Sequence, residues 1–154
     1  VPSGLIKLIK QGFNTGLDHS GASIGQPTNF FVGAALNLCP AAPDQEIRNT
    51  RRKIEAGARF LVTQPVIGVD ATVSGLDGHR LPVWVGAWMS KRVDLLLECV
   101  GVERRTSAEP YDPAVNLARL HDSFPDFGLY LAQLSFKKDW CPLLTRIPCA
   151  ERAA

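Results

Sequence analysis

The residues of this 154-residue chain that could do chemistry are few and well separated. Lys53 closes the basic run Arg51-Arg52-Lys53. An ammonium is a point-charge binder of phosphate, and such a run is equally the solvated face of an ordinary helix. Glu46 offers a carboxylate that accepts hydrogen bonds from hydroxyls. In the first turn of a helix it would instead complement the dipole, an effect of about 0.3–1 kcal/mol. Gln64 closes the apolar run FLVT and precedes Pro65. Its amide presents a donor and an acceptor side by side, suited to a ligand with a matching edge or to the backbone of a loop. Ala34, Ala35 and Asn37 follow Gly33 in FFVGAALN. Small side chains there let a planar ring or a phosphate approach the main chain, or let a helix pack closely. Trp84 and Trp88 flank Gly86 and share parity, so they point to one face of a strand. They could stack on a ring or fill a core. Asp70 and Asp77 stand among glycines and read as turn residues before they read as a carboxylate pair.

Other chemistries find little support. The four cysteines, Cys39, Cys99, Cys141 and Cys149, form no CxxC pair, and His19, His79 and His121 lie far from any pair of them. Zinc needs clustered ligands, so no metal site is expected. Length and spacing favour reduced, mostly buried thiols in a cytosolic protein. There is no GxGxxG, GxxxxGK[ST] or GxSxG signature. Seventeen Lys and Arg against fifteen Asp and Glu give a net charge of +2, too even for an electrostatic nucleic-acid or membrane binder. No apolar run approaches the roughly 20 residues that span a bilayer. VPSGLIKLIK has no long apolar stretch or small-residue cleavage site, so no signal peptide is expected. The lack of an initiator Met suggests a processed product or a piece of something longer.

The elements that would position these residues alternate between helical and extended. Leu5, Ile6, Leu8, Ile9 and Phe13 recur at helical spacing over about residues 3–13, with Ser3 as N-cap. A Gly-, Ser- and Asn-rich loop follows. Phe30 to Leu38 is a continuous apolar run of strand length, as a strand buried on both faces requires. Pro43 and Asp44 open a helix whose stripe is Ile47, Arg51, Ile54 and Ala58, with Gly57 as the stop. Arg59 to Thr63 is a second strand and Leu81 to Met89 a third. Helices are expected over residues 91–102 and 113–122, a fourth strand over 127–136, and a last helix in KKDWCPLLTRI cut near its start by Pro142. The order α-(βα)(βα)(βα)β(α) calls for a parallel sheet flanked by helices, and such crossovers are right-handed. An open doubly wound sheet and part of a (βα)8 barrel both satisfy it. With 45% hydrophobic residues and mean hydropathy +0.01, one globular domain over 1–154 is expected.

Three segments in order carry a family likeness: GLIKLIK…IGQPTNFFVGAALN, DQEIRNTRRKIEAGARFLVTQPV and LPVWVGAWMS. Together they resemble the methylenetetrahydrofolate reductase family, especially the form fused to a homocysteine methyltransferase domain. RRKIEAGA followed by TQPV is the most specific part. The resemblance covers Gly4 to Met89, so 1–28 is a helix and entry loop, 29–90 the best-matched core and 91–154 a weakly matched part. Beyond Lys91 only GLYLAQLSFKKDW is similar to the family's last strand and helix. The resemblance implies a partial (βα)8 TIM barrel, roughly strands five to eight, with FAD at the C-terminal ends of the strands. It implies reduction of 5,10-methylenetetrahydrofolate to 5-methyltetrahydrofolate with NAD(P)H as reductant, in the cytoplasm.

The same resemblance gives Lys53 the FAD phosphate and ribitol region and Glu46 the flavin's sugar portion. Ala34, Ala35 and Asn37 would lie along the flavin. Gln64 would pair with the pterin of the folate substrate, and Trp88 would line the substrate mouth. The sequence departs from the family in two places. A Tyr and a His found after the matching strand in some members are Leu36 and the segment around Cys39, and the Leu-Pro pair after the matching Gly is Trp88-Met89 after Ala87. The catalytic Glu and Asp of the family's first half have no counterpart, so the chain reads as a fragment or truncated homologue. A missing N-terminal half-barrel or a homo-oligomer would complete it. The alternative is a non-catalytic half-barrel that assembles with a partner or with itself.

Overall fold

The computed structural model describes residues 2–38, 40, 42–67, 81–100, 110–134 and 139–144. Helices α1 (Pro2–Lys7), α2 (Pro43–Glu55), α3 (Val93–Val100), α4 (Pro113–Ser123) and α5 (Cys141–Leu144) accompany strands β1 (Gly33–Leu36), β2 (Phe60–Val66), β3 (Val83–Trp88) and β4 (Gly128–Ala132). The strands form one parallel sheet in the order β1-β2-β3-β4. The described residues fall into two compact units that divide within β2 and β3. One holds residues 2–64 and 81–84, the other 65–67 and those from Val85 onward.

In the first unit α1 begins at Pro2, so Ser3 lies inside the helix rather than capping it, and the chain continues as a π-helical turn, Leu8–Gly12, and a 3₁₀ turn, Phe13–Thr15. Of the expected stripe only Ile6 is fully buried, packed with Val32, Ala56 and Ala58, with Ile9 and Ala34 against them. α2 begins with Pro43 at its first turn, where the missing N–H costs nothing, and carries Asp44 and Glu46 there as expected. Gly57 ends it at φ +112°, and a Cβ at that position would also meet the Lys10 side chain at 2.9 Å. β1 and β2 pair in register Gly33↔Phe60 through Leu36↔Thr63.

β1 is shorter than its apolar run. Phe30 and Phe31 lie before it and are 54% and 73% exposed. The Asn14 side chain holds this entry: its Nδ2 donates to Phe30 O and its Oδ1 accepts from Phe30 N–H, both at 3.0 Å, and from Thr28 Oγ1 at 2.8 Å. Nor are the first two strands buried on both faces, as the continuous apolarity suggested. β2 alternates, with Leu61 and Thr63 buried and Phe60, Val62 and Gln64 on the opposite, more open face.

In the second unit Val85, Ala87 and Met89 of the β3 segment are buried, as are Leu117, Leu120 and Phe124 of the α4 region. Each of the larger side chains, Val85, Met89, Leu117 and Leu120, stabilises the fold by roughly 1.5–3 kcal/mol. Asp112 caps α4 by accepting the Ala114 N–H at 2.8 Å, with Pro113 at the first position. Asn116 is buried on α4 and donates to the Val66 carbonyl at 3.0 Å, tying the end of β2 to the helix. α5 is a single turn whose start is held by Asp139 accepting from Cys141 N–H at 2.9 Å. Cys141 is an exposed free thiol rather than a buried one, because this short turn lies at the surface. β4 stops at Ala132, short of the expected 136, with Gln133 and Leu134 already outside the strand, while the expected end of the third helix, the turn with Asp70 and Asp77, His79, Cys39, Cys149 and the tail lie outside the described residues.

Candidate functional site

Four of the residues singled out by type come together where β1 ends. Lys53 reaches back from the last turn of α2 and donates to the Ala35 carbonyl at 2.7 Å and to Glu46 Oε1 at 3.2 Å. The pair is mostly buried, with side-chain exposures of 13% and 17%. The same Glu46 oxygen accepts the Asn37 N–H at 3.2 Å and lies 3.5 Å from the Thr50 hydroxyl. Lys53 and Glu46 are seven residues apart, two helical turns, so both project from α2 towards one end of β1. Neither side of the pair is the freely solvated charge that a basic run usually supplies. Thr50, fully buried between them on the helix, had no marker in the sequence beyond its position.

Beside this cluster a groove of about 380 Å³ is lined by Gly33, Ala34, Ala35, Phe60, Val62, Thr63 and Gln64. That is at the lower end of the roughly 300–1,000 Å³ usual for small-molecule sites. Its floor is apolar, and the exposed Gln64 amide, with no hydrogen bond among the described residues, stands at its far end. Gln64 and Lys53 therefore meet the same strand termini, the ends at which parallel α/β proteins place ligands. The groove also shows why Gly33 is small. A Cβ there would lie 2.3 Å from the Phe60 ring, which crosses the β1 backbone and stacks on Phe31 at 5.3 Å and 14°. An aromatic over a cross-strand glycine needs the register, which the sequence did not supply.

The tryptophans separate. Trp84 is 42% exposed, whereas Trp88 is 7% exposed with its indole N–H unpartnered among the described residues. The Trp88 carbonyl accepts the Tyr111 hydroxyl. Burial raises the Tyr111 phenol well above its ordinary value and moves Tyr130 the same way. Tyr130 lies over Gly86, whose added Cβ would meet the phenol at 2.6 Å and Pro65 Cα at 2.9 Å. Shared parity thus did not give the two indoles one environment.

Among the described residues no three metal-ligating side chains come together, and no helix is long and apolar enough to cross a membrane. The fold and site define an α/β protein with a parallel four-stranded sheet and a groove along β1 and β2. No family model and no curated protein matches the chain.

Proposed function

We propose that this chain supplies roughly strands five to eight of a (βα)8 barrel and binds FAD and a folate as part of a methylenetetrahydrofolate reductase. The observation that carries this reading is the convergence of Lys53, Glu46, Asn37 and Ala35 on one strand end, beside the groove that Gln64 borders. The sheet order supports the barrel. Doubly wound sheets reverse strand order at a switch point, whereas β1-β2-β3-β4 runs on without reversal.

The donor set suits the cofactor. An ammonium has three N–H donors, and Lys53 gives two of them to Ala35 and Glu46, leaving one for a phosphate oxygen. Glu46 uses Oε1 for its internal contacts, so Oε2 can accept from a sugar hydroxyl. Ala35 is small and exposed beside the groove of about 380 Å³, which would let a planar ring approach the β1 backbone. Gln64 would orient the pterin with its paired amide groups. When bound, FAD supplies hydride transfer from NAD(P)H to the folate one-carbon unit. What this chain's residues do is bind, orient and exclude water from the strand ends. A cytoplasmic location accompanies this reading.

Titration of the chain with FAD, followed by quenching of flavin fluorescence, tests it. Wild type is expected to bind, and Lys53→Met to bind on the order of tenfold or more weakly, the effect of one charge-assisted hydrogen bond. Gln64→Ala should keep FAD and weaken 5-methyltetrahydrofolate. Absence of binding, or equal binding by wild type and Lys53→Met, overturns the proposal.

A further inference from the structure

Within the first unit the groove's face continues past the groove itself. Ala35 lies opposite Val62 across β1 and β2, and both line the groove. β3 extends that row. Leu61 N–H donates to Pro82 O at 2.9 Å, and in a parallel ladder this bond sets Leu61 opposite Val83. Both are buried, so they share the closed face of the sheet. Side chains alternate along a strand, so the next pair, Val62 and Trp84, shares the open face, and there Trp84 is exposed. Ala35, Val62 and Trp84 thus form one row across three strands, each step about 4.8 Å. Two of them are short and apolar, and the third stands up as a wall. Gln64 follows Val62 by two residues on the same face. One strand spacing and two residue rises place its Cα about 8 Å from that of Trp84. Its side-chain amide is exposed and has no partner among the described residues.

We propose that Trp84 is the stacking residue of this site: its indole takes the face of a planar heteroaromatic ring seated over Ala35 and Val62, while the Gln64 amide pairs with a donor and an acceptor on the ring's edge. Resting on the folate reading above, that ring is the pterin. The two contacts divide the work of recognition. An indole offers a broad π-face that tolerates many ring substituents, whereas an amide presents one donor and one acceptor side by side. Trp84 therefore supplies affinity for a flat ring, and Gln64 fixes which way the ring is turned. Towards the strand starts the Phe60 ring already covers Gly33, which closes the seat on that side. The role passes to Trp84 from Trp88, which the family resemblance puts at the substrate mouth. The Trp88 indole is buried, so it has no open face to offer a ring.

Equilibrium dialysis of the full chain against pterin-6-carboxylate and against 5-methyltetrahydrofolate tests this, beside the flavin titration. Trp84→Ala should bind both pterins on the order of tenfold more weakly than wild type, the effect of one lost stacking partner. Trp84→Phe keeps a π-face and should fall between the two. If Trp84→Ala loses its far-UV circular dichroism, Trp84→Leu carries the same expectation. Acrylamide quenching of tryptophan emission gives a readout that a merely structural role would not move. Saturation with either pterin should shield wild type from acrylamide and leave Trp84→Phe unshielded. Equal pterin affinity of wild type and Trp84→Ala, or a loss in Trp88→Phe with none in Trp84→Ala, overturns the assignment. So does a Trp84→Ala variant that loses FAD and keeps the pterins. If pterin binding depends on Trp84 as stated while FAD does not bind, the flavin reading falls and the Trp84 site stands. If FAD and the folate both bind and ignore Trp84, the reverse holds. No binding of either pterin overturns the assignment and the folate half of the reading together.

Discussion

Gly33→Ala adds one methyl group at the floor of the groove, and its cost follows from three distances. The new Cβ would lie 2.3, 2.4 and 2.8 Å from Phe60 ring carbons, far inside van der Waals contact. The ring must swing away and abandon its stack on Phe31. Overpacking of this kind costs roughly 1–3 kcal/mol, and loss of a stacked aromatic pair about 0.5–1.5 kcal/mol. Replacing glycine in a strand returns about 0.5–1 kcal/mol of backbone entropy. The expected net loss is about 1–3 kcal/mol in urea unfolding followed by circular dichroism. The same substitution in a Phe60→Ala background meets no ring, so it should be neutral or mildly stabilising. The difference between the two backgrounds isolates the contact. A loss below about 0.5 kcal/mol, or equal losses in both backgrounds, would refute the argument that Phe60 dictates glycine here.

Three further outcomes follow from groups already described. Asn116→Leu strands the Val66 carbonyl without its donor and should cost about 1–3 kcal/mol in urea unfolding. Asp112→Ala removes the cap on α4 and should cost about 0.5–2 kcal/mol, while Asp112→Asn stays close to wild type in thermal melts. Both tyrosines, Tyr111 and Tyr130, have phenol pKa values raised by burial above the ordinary 10.0. A raised folded value contributes stability that is fully present below pH 10.0 and is lost as pH rises through the folded pKa. Absorbance at about 295 nm should therefore show both phenols less ionised at pH 10.0 in the folded chain than in the urea-unfolded chain. A tyrosine titrating at 10.0 in folded protein would contradict this.

Much of the framework was legible because its signals are local. Pro43, the two early acids and Gly57 bracket α2 where it lies, and Asp112-Pro113 opens α4. The run FLVT-Gln64-Pro65 is a strand, though it continues through Val66. What escaped depends on contacts distant in sequence. Phe30 and Phe31 satisfy every local rule for a strand, and only the Asn14 amide, sixteen residues before Phe30, shows why they stand outside it. Of the candidate site, Lys53 and Glu46 were singled out through the family resemblance, since residue type alone reads them as a solvated charge and a helix-dipole partner. The partners that join them, a carbonyl of Ala35 and an N–H of Asn37, belong to the main chain, which carries no sequence signature. Gln64 was expected at a strand tip, but β2 runs on through Val66 and leaves it exposed two residues before the end.

The Asn14 clasp has one consequence for how this polypeptide can change. Its amide, together with the Thr28 N–H bonded to Phe13 O at 2.9 Å, fastens the two ends of the intervening excursion directly to each other. Residues 16–27 thereby become a detachable module. At its tip Gly21 sits at φ +84° with nothing within 4 Å of an added Cβ, so a peptide grafted after Gly21 would lengthen the excursion and leave β1 in its register. Enlargement by insertion, whether by evolution or by a protein engineer splicing in a tag, has a ready address on this molecule.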